Sequence, residues 1–279
     1  MINNLFYLTA ERAVSLSIIL VSIGAVIQAL EYLLTRKHPV LGGLNDWSIL
    51  RTADRGMLEA PLRYVTDALF SQTGFAGLNI IVFFCALALL IYPNSVSTKW
   101  LLMVVALCRG LLCFRKRMDL SAADQMQLMV FIGCMIYNFA VTSLVKTATL
   151  WLVSLEVVLI YVAAGVIKAV TPLWRNGNVL ASLLRTRAWS TPEVYRLTRS
   201  YPWLAAFAAG GTIVFECLLP LCVFAGPLPC LVFIIFGTIF HANNVYVMGL
   251  NDFLWAFPGS YPLLLYFSID FQQKVSAIF

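Results

Sequence analysis

The sequence predicts an all-α protein, a polytopic transmembrane helical bundle of about eight spans with interfacial helices. Three observations predict it. Of the 279 residues, 61% are hydrophobic and only 11% charged, against roughly 25% charged in a soluble domain. Mean hydropathy is +0.86. Apolar runs also recur at the length a bilayer demands, about 20 residues per crossing, which leaves room for about eight with short loops.

The predicted spans are 13–34, 75–93, 99–114, 122–143, 148–170, 203–225, 227–249 and 252–270. Glu11 and Arg12 precede the first run, which is longer than the apolar core of a signal peptide and reads as a retained span. The third is short. Pro258, Gly259 and Pro262 interrupt the last, so it reads as broken or re-entrant, a geometry tolerated only against protein. In segment 171–201, Leu180, Leu183 and Leu184 oppose Arg185 and Arg187, the spacing of a helix lying at the interface. Segment 35–74 holds Gly42-Gly43, His38 and Asp54-Arg55-Gly56. Residues 1–279 form one membrane domain without internal repeat or low-complexity tract.

Charge sets the orientation. Thirteen of the 19 Lys and Arg fall in alternate connections: five in 35–74, three in 115–117 and five in 171–201. The positive-inside rule puts these on the cytoplasmic side and the N-terminus outside. The net charge of +6 is therefore an orientation signal. No solvated basic domain is present to bind nucleic acid. The seven cysteines sit in or beside apolar runs, and none has the Cys/His spacing of a metal site.

Six ionisable residues fall within or at the edge of spans: Arg109, Asp124, Glu156, Lys168, Glu216 and His241. Each costs about 2.5–3.5 kcal/mol at mid-membrane on insertion scales, so they are expected to face one another or a wet cavity. Glu216 and His241 lie near the centres of consecutive spans joined at Gly226-Pro227, and are expected to approach each other or to act as polar glue between helices. Gly237, His241, Asn244 and Met248 share a face. In the fifth span, Tyr161, Ala164, Gly165 and Lys168 share another. The small pair leaves a notch between a phenol and an amine, suited to a close neighbouring helix or a flat ligand. A desolvated lysine is a potential base; the alternative is a lysine snorkelling to the headgroups. Asp124 reads equally as a helix cap and Arg109 as a snorkelling arginine.

Tyr161-Val162-Ala163-Ala164-Gly165-Val166-Ile167-Lys168, followed by Trp174-Arg175-Asn176-Gly177, resembles the Y-x-x-A-G-x-x-K…W-x-x-G signature of the HTTM family of integral membrane proteins, which includes vitamin K-dependent gamma-carboxylase and bacterial relatives. Asp54-Arg55-Gly56-Met57-Leu58 resembles its D-x-G-x-L, and Arg109 with Ala122-Ala123-Asp124 its R…G-G-D. Phe215-Glu216 to Pro220 resembles F-E-x-x-x-P, and Phe240-His241 with Asn251-Asp252-Phe253 resembles F-H…F. The resemblance implies a bacterial inner-membrane protein with a carboxylase-like lyase activity. Lys168 would be the base that deprotonates a reduced, vitamin K-like quinone. Tyr161, Gly165, Glu156, Glu216, His241, Asn244, Asp124 and Arg109 would form the substrate or cofactor pocket. Membrane lipids and a peptide substrate or partner protein are the implied partners. The chain lacks the carboxylase's large lumenal domain, and Ala122-Ala123 replace the family's paired glycines. Two other functions fit the same sequence: a non-catalytic component of peptide maturation or export, and a transporter, although no inverted repeat is present.

Overall fold

The computed structural model describes residues 8–34, 46–53, 60–116, 120–186 and 189–277. Among these the regular secondary structure is all helical, with no strand. Eight helices are long: α1 (Ala10–Leu34), α4 (Gln72–Ile91), α5 (Thr98–Arg115), α6 (Ala122–Phe139), α7 (Ser143–Val170), α11 (Trp203–Ala225), α12 (Pro227–Met248) and α13 (Asn251–Ser276). Five are short: α2 (Trp47–Ala53), α3 (Ala60–Phe70), α8 (Pro172–Arg175), α9 (Asn178–Leu184) and α10 (Pro192–Ser200).

Five helices, α1, α4, α7, α11 and α12, are long and apolar enough to cross a bilayer, which marks an integral membrane protein. The outer surface agrees. Leu107, Leu152, Leu221 and Phe236 are each at least 60% exposed, on four different helices. So broad an apolar surface is foreign to a soluble monomer. α5, α6 and α13 have the length but carry more polar residues, among them Arg109, Asp124 and Asp252.

Small residues set the packing, as expected where close van der Waals fit must hold helices together. A Cβ on Gly24 would lie 2.5 Å from the Trp255 Cβ, and one on Gly259 would lie 2.6 Å from a Val21 methyl. α1 and α13 therefore cross in near backbone contact. α13 also packs on α6, α7, α11 and α12, which makes it the centre of the bundle.

That position corrects the expectation of a broken last span. α13 is one helix from Asn251 to Ser276, with Pro258 and Pro262 inside it. Side-chain donors enter its carbonyl row: Ser260 Oγ donates to the Phe257 carbonyl at 2.7 Å and Ser154 Oγ of α7 to the Leu263 carbonyl at 3.0 Å. These bonds lie beside, not at, the Leu254 and Pro258 carbonyls whose N–H partners the prolines remove; packing on α1, α6, α7, α11 and α12 holds the helix together. The α6–α7 boundary also moves. Thr142 caps α7 by accepting from the Val145 N–H, so α7 begins at Ser143 rather than 148 and α6 ends at Phe139.

The segment between the first two predicted spans is not simply a loop. α2 and α3 bring Trp47 edge-on to Phe70, centroids 4.8 Å apart, in a small cluster with Leu50. Arg115 Nε donates to the Phe70 carbonyl at 3.1 Å. His38, Gly42-Gly43 and Asp54 to Leu58 lie outside the described residues, as does Arg187.

Candidate functional site

One end of the bundle holds a cavity of about 710 Å³. α7 contributes Ile160, Tyr161, Ala164 and Lys168, the face the spacing predicts. Thr171 and Pro172 end that helix and start α8, which delivers Trp174 to the wall. Gly177 has φ of +72°, a conformation that glycine adopts freely. A Cβ there would also press on the Ala206 backbone. The turn it permits aims α9 so that Leu180, Leu183 and Leu184 line the cavity, the apolar side of the expected interfacial helix. Val194, Leu197 and Thr198 of α10 continue the cover, while Glu193, Arg196 and Arg199 point outward and are exposed.

Two polar clusters converge on the cavity. In the first, Lys168 Nζ lies 2.8 and 2.7 Å from the two carboxylate oxygens of Glu216. The amine also sits 5.5 Å from the centre of the Trp174 ring, a cation–π distance. The lysine side chain is 18% exposed and the glutamate 8%. In the second, the Tyr161 hydroxyl is 2.7 Å from His241 Nε2 and 2.7 Å from the Tyr261 hydroxyl. His241 Nδ1 has no partner. The imidazole stacks on Phe257 with centroids 4.7 Å apart, and Phe215, Phe233 and Phe257 surround Tyr161 edge-on. Tyr161→Phe removes a buried hydroxyl from two partners, and is expected to lower stability by about 1–3 kcal/mol. Thermal unfolding in detergent measures it.

Gly165 explains how the first cluster is assembled. Its Cβ would lie 2.8 Å from Cys217 Sγ, 3.0 Å from Glu216 Cβ and 3.1 Å from the Cys217 backbone nitrogen. The notch is filled by α11 itself, not by a flat ligand, and it brings Glu216 to Lys168. Gly165→Val is expected to push the helices apart at a cost of about 1–3 kcal/mol. Loss of a Lys168–Glu216 crosslink by a zero-length carbodiimide reads the separation directly.

The structure brings together Lys168, Tyr161, Glu216, His241 and Asn244 on the cavity wall, with Gly165 beside them. Glu216 and His241 do not bond each other; each has its own partner. Lys168 is ion-paired rather than snorkelling. Three expected pocket residues are elsewhere. Glu156 is half-buried on α7 and does not line the cavity, because twelve residues of helix place it about 18 Å from Lys168 along the axis. Arg109 and Asp124 belong to a separate buried network: Arg109 Nη2 to Asp124 Oδ1 at 3.1 Å, Lys116 Nζ to the same carboxylate at 3.2 Å, and Gln28 Nε2 to Asp124 at 2.9 Å and Asp252 at 3.0 Å. Arg109 also donates to Gln28 Oε1. Asp124 is the third-position partner of a capping box whose cap is Ser121; it caps and neutralises at once.

Sequence reasoning missed Gln28, Lys116, Tyr261 and Asp252. Gln28 stands alone in an apolar span, which was a usable signal. Tyr261 lay in the stretch taken for a break. Among the described residues no cluster of His, Cys, Asp and Glu could hold a metal ion. Comparison with protein-family models, curated proteins and solved structures finds no match to this chain.

Proposed function

We propose that this chain is a carboxylase-like integral membrane enzyme that binds a lipid-soluble or peptide substrate in the cavity and removes a proton from it with the Lys168–Glu216 pair. In this reading α5, α6 and α13 also cross the bilayer, giving eight spans of an HTTM-like bundle in a bacterial inner membrane. The cavity then opens toward the cytoplasmic side, where Arg175, Arg185, Arg196 and Arg199 are exposed around its cover, as the positive-inside rule requires.

The observation that carries the reading is the amine of Lys168, held by both oxygens of Glu216 at the wall of a largely apolar cavity. Convergent polar groups in an apolar cavity of this size are the usual form of a small-molecule site. The amine, 2.7 Å from the carboxylate, is held at the wall where a substrate hydroxyl would meet it, and the pair would take that proton within the hydrogen-bond reach that general-base catalysis requires. Trp174 holds the amine in place. Tyr161, fixed by Tyr261, orients His241 and leaves Nδ1 for an oxygen of the bound molecule.

The residues fit a reduced quinone: aromatic walls at Phe240, Phe253 and Phe257 and an unpaired nitrogen at His241. Such a group, when bound, would supply through its oxidation by oxygen the strong base that removes the substrate proton; the addition of CO2 to the resulting carbanion is itself redox-neutral. The test uses proteoliposomes with a naphthoquinol, oxygen, labelled bicarbonate and a glutamate-rich peptide. Wild type is expected to fix carbon, and Lys168→Gln, which still donates to Glu216 but has no titratable amine, to lose it. Full activity in Lys168→Gln, or no fixation by wild type, sinks the proposal. The non-catalytic reading would then gain ground, because a satisfied ion pair also serves to hold α7 to α11.

A further inference from the structure

α11 and α12 pack closely over only part of their length. Phe215 stacks on Phe233 with centroids 4.4 Å apart, and a Cβ on Gly237 would lie 3.3 Å from Phe215. α11 packs more extensively on α7 than on α12, and also on α8, α9 and α13, whereas α12 packs chiefly on α13. The stretch between them is cavity wall that is also outer surface. Phe207, Ala208 and Gly211 of α11 and Asn243 of α12 line the cavity and are all exposed, Phe207 by 74%. A Cβ on Gly211 would meet nothing within 4 Å. Apolar side chains flank this gap on the outside: Val214 and Leu218 on α11, Phe236 and Ile239 on α12, all exposed. The opening therefore faces hydrocarbon rather than water.

We infer that the gap between α11 and α12 is a lateral portal, through which a long-chain amphiphile with an uncharged hydroxyl or carbonyl head group enters from the bilayer. This deepens the proposed function and rests on its membrane-embedded site. The head-group chemistry follows from the polar groups within. Lys168 is already neutralised by Glu216, so the site has no spare charge to hold an anionic head. Asn243 and Asn244 offer both donors and acceptors on the wall, and His241 Nδ1 is unpaired although the residue is only 3% exposed. The tail remains between α11 and α12, where Phe207 and the bare backbone of Gly211 leave it room.

Gly211→Leu fills the portal without touching the polar groups. Gly210→Leu is its control: a Cβ there also meets nothing, but Gly210 does not line the cavity. Both replace a helical glycine with a better helix former, so neither is expected to unfold the chain. The probe is palmityl alcohol carrying a diazirine beside its hydroxyl end, added to phosphatidylcholine vesicles containing the protein. After irradiation, labelled peptides are located by mass spectrometry. The expected result is labelling of Ile160 and Ala164, inside the cavity, in wild type and Gly210→Leu, reduced about tenfold in Gly211→Leu. Labelling confined to outward residues such as Leu221 and Phe236 means annular lipid only and overturns the portal. Interior labelling that Gly211→Leu leaves unchanged overturns it too, even if the protein turns substrate over. Interior labelling sensitive to Gly211 in a protein with no carboxylation activity supports the portal and counts against the enzyme reading alone.

Discussion

Asp124→Ala is expected to lower the stability of this protein by about 3–5 kcal/mol, the cost of leaving a buried charge without its partner. Asp124 is 2% exposed and accepts from Arg109, Lys116 and Gln28. Its removal strands two cations at once. Arg109, itself 2% exposed, has no partner at Nε and cannot reach water without dragging α5. Lys116 would be left with Tyr32, whose ring centre lies 4.6 Å away and whose hydroxyl it also bonds. The helix cap is a smaller part of the loss, because Ser121 still accepts from the residue 124 N–H. Asp124→Asn separates the two contributions: it keeps an acceptor for Gln28 and removes the charge. Thermal unfolding in detergent, followed by circular dichroism, is expected to rank wild type above Asn and Asn above Ala. Arg109→Leu in the Asp124→Ala background should recover part of the loss, since one stranded cation is gone. An Asp124→Ala protein that melts with wild type would mean that this network is hydrated and of little energetic weight.

The network also marks the limit of what sequence reading reaches. The long helices were legible because each is a run of apolar residues, and the α11–α12 turn because of Gly226-Pro227; the start of α7 at its Thr142 cap was not. The cavity face of α7 was legible because Tyr161, Ala164 and Lys168 obey helical spacing. Partner choice was not. Of the six ionisable residues placed in spans, His241 was nearest to Glu216 in sequence, yet Glu216 took Lys168 from a helix some fifty residues earlier. What decides between them is the angle at which α7 crosses α11, set by the bare backbone of Gly165 against Cys217. The family resemblance gathered all the intramembrane charges into one pocket, although burial alone asks only that each costly charge find a partner. Two clusters satisfy that demand equally well, and only helix arrangement distinguishes them. α13 was misread for a related reason: two prolines break an isolated helix, but not one packed against α1, α6, α7, α11 and α12.

The Lys168–Glu216 pair gives the second large effect, and it separates structure from chemistry. Lys168→Ala leaves a carboxylate that is 8% exposed among apolar side chains, and is expected to cost about 3 kcal/mol or more. Glu216→Ala is expected to cost less, because the lysine side chain is 18% exposed and lies near the end of α7, where its long stem can carry the amine to the headgroups. Replacing both with apolar residues of similar size, Lys168→Met with Glu216→Leu, removes the buried charges together and is expected to restore stability to within about 1 kcal/mol of wild type. The double variant is then the decisive one. If the pair only fastens α7 to α11, a refolded double variant keeps whatever the protein does. If the amine takes a proton from the substrate, the same variant melts like wild type and is inactive. Chemical denaturation in detergent and proteoliposome carboxylation, run on wild type, the two single variants and the double variant, read the two quantities independently. Recovery of stability without recovery of activity is the outcome that the geometry at the cavity wall predicts.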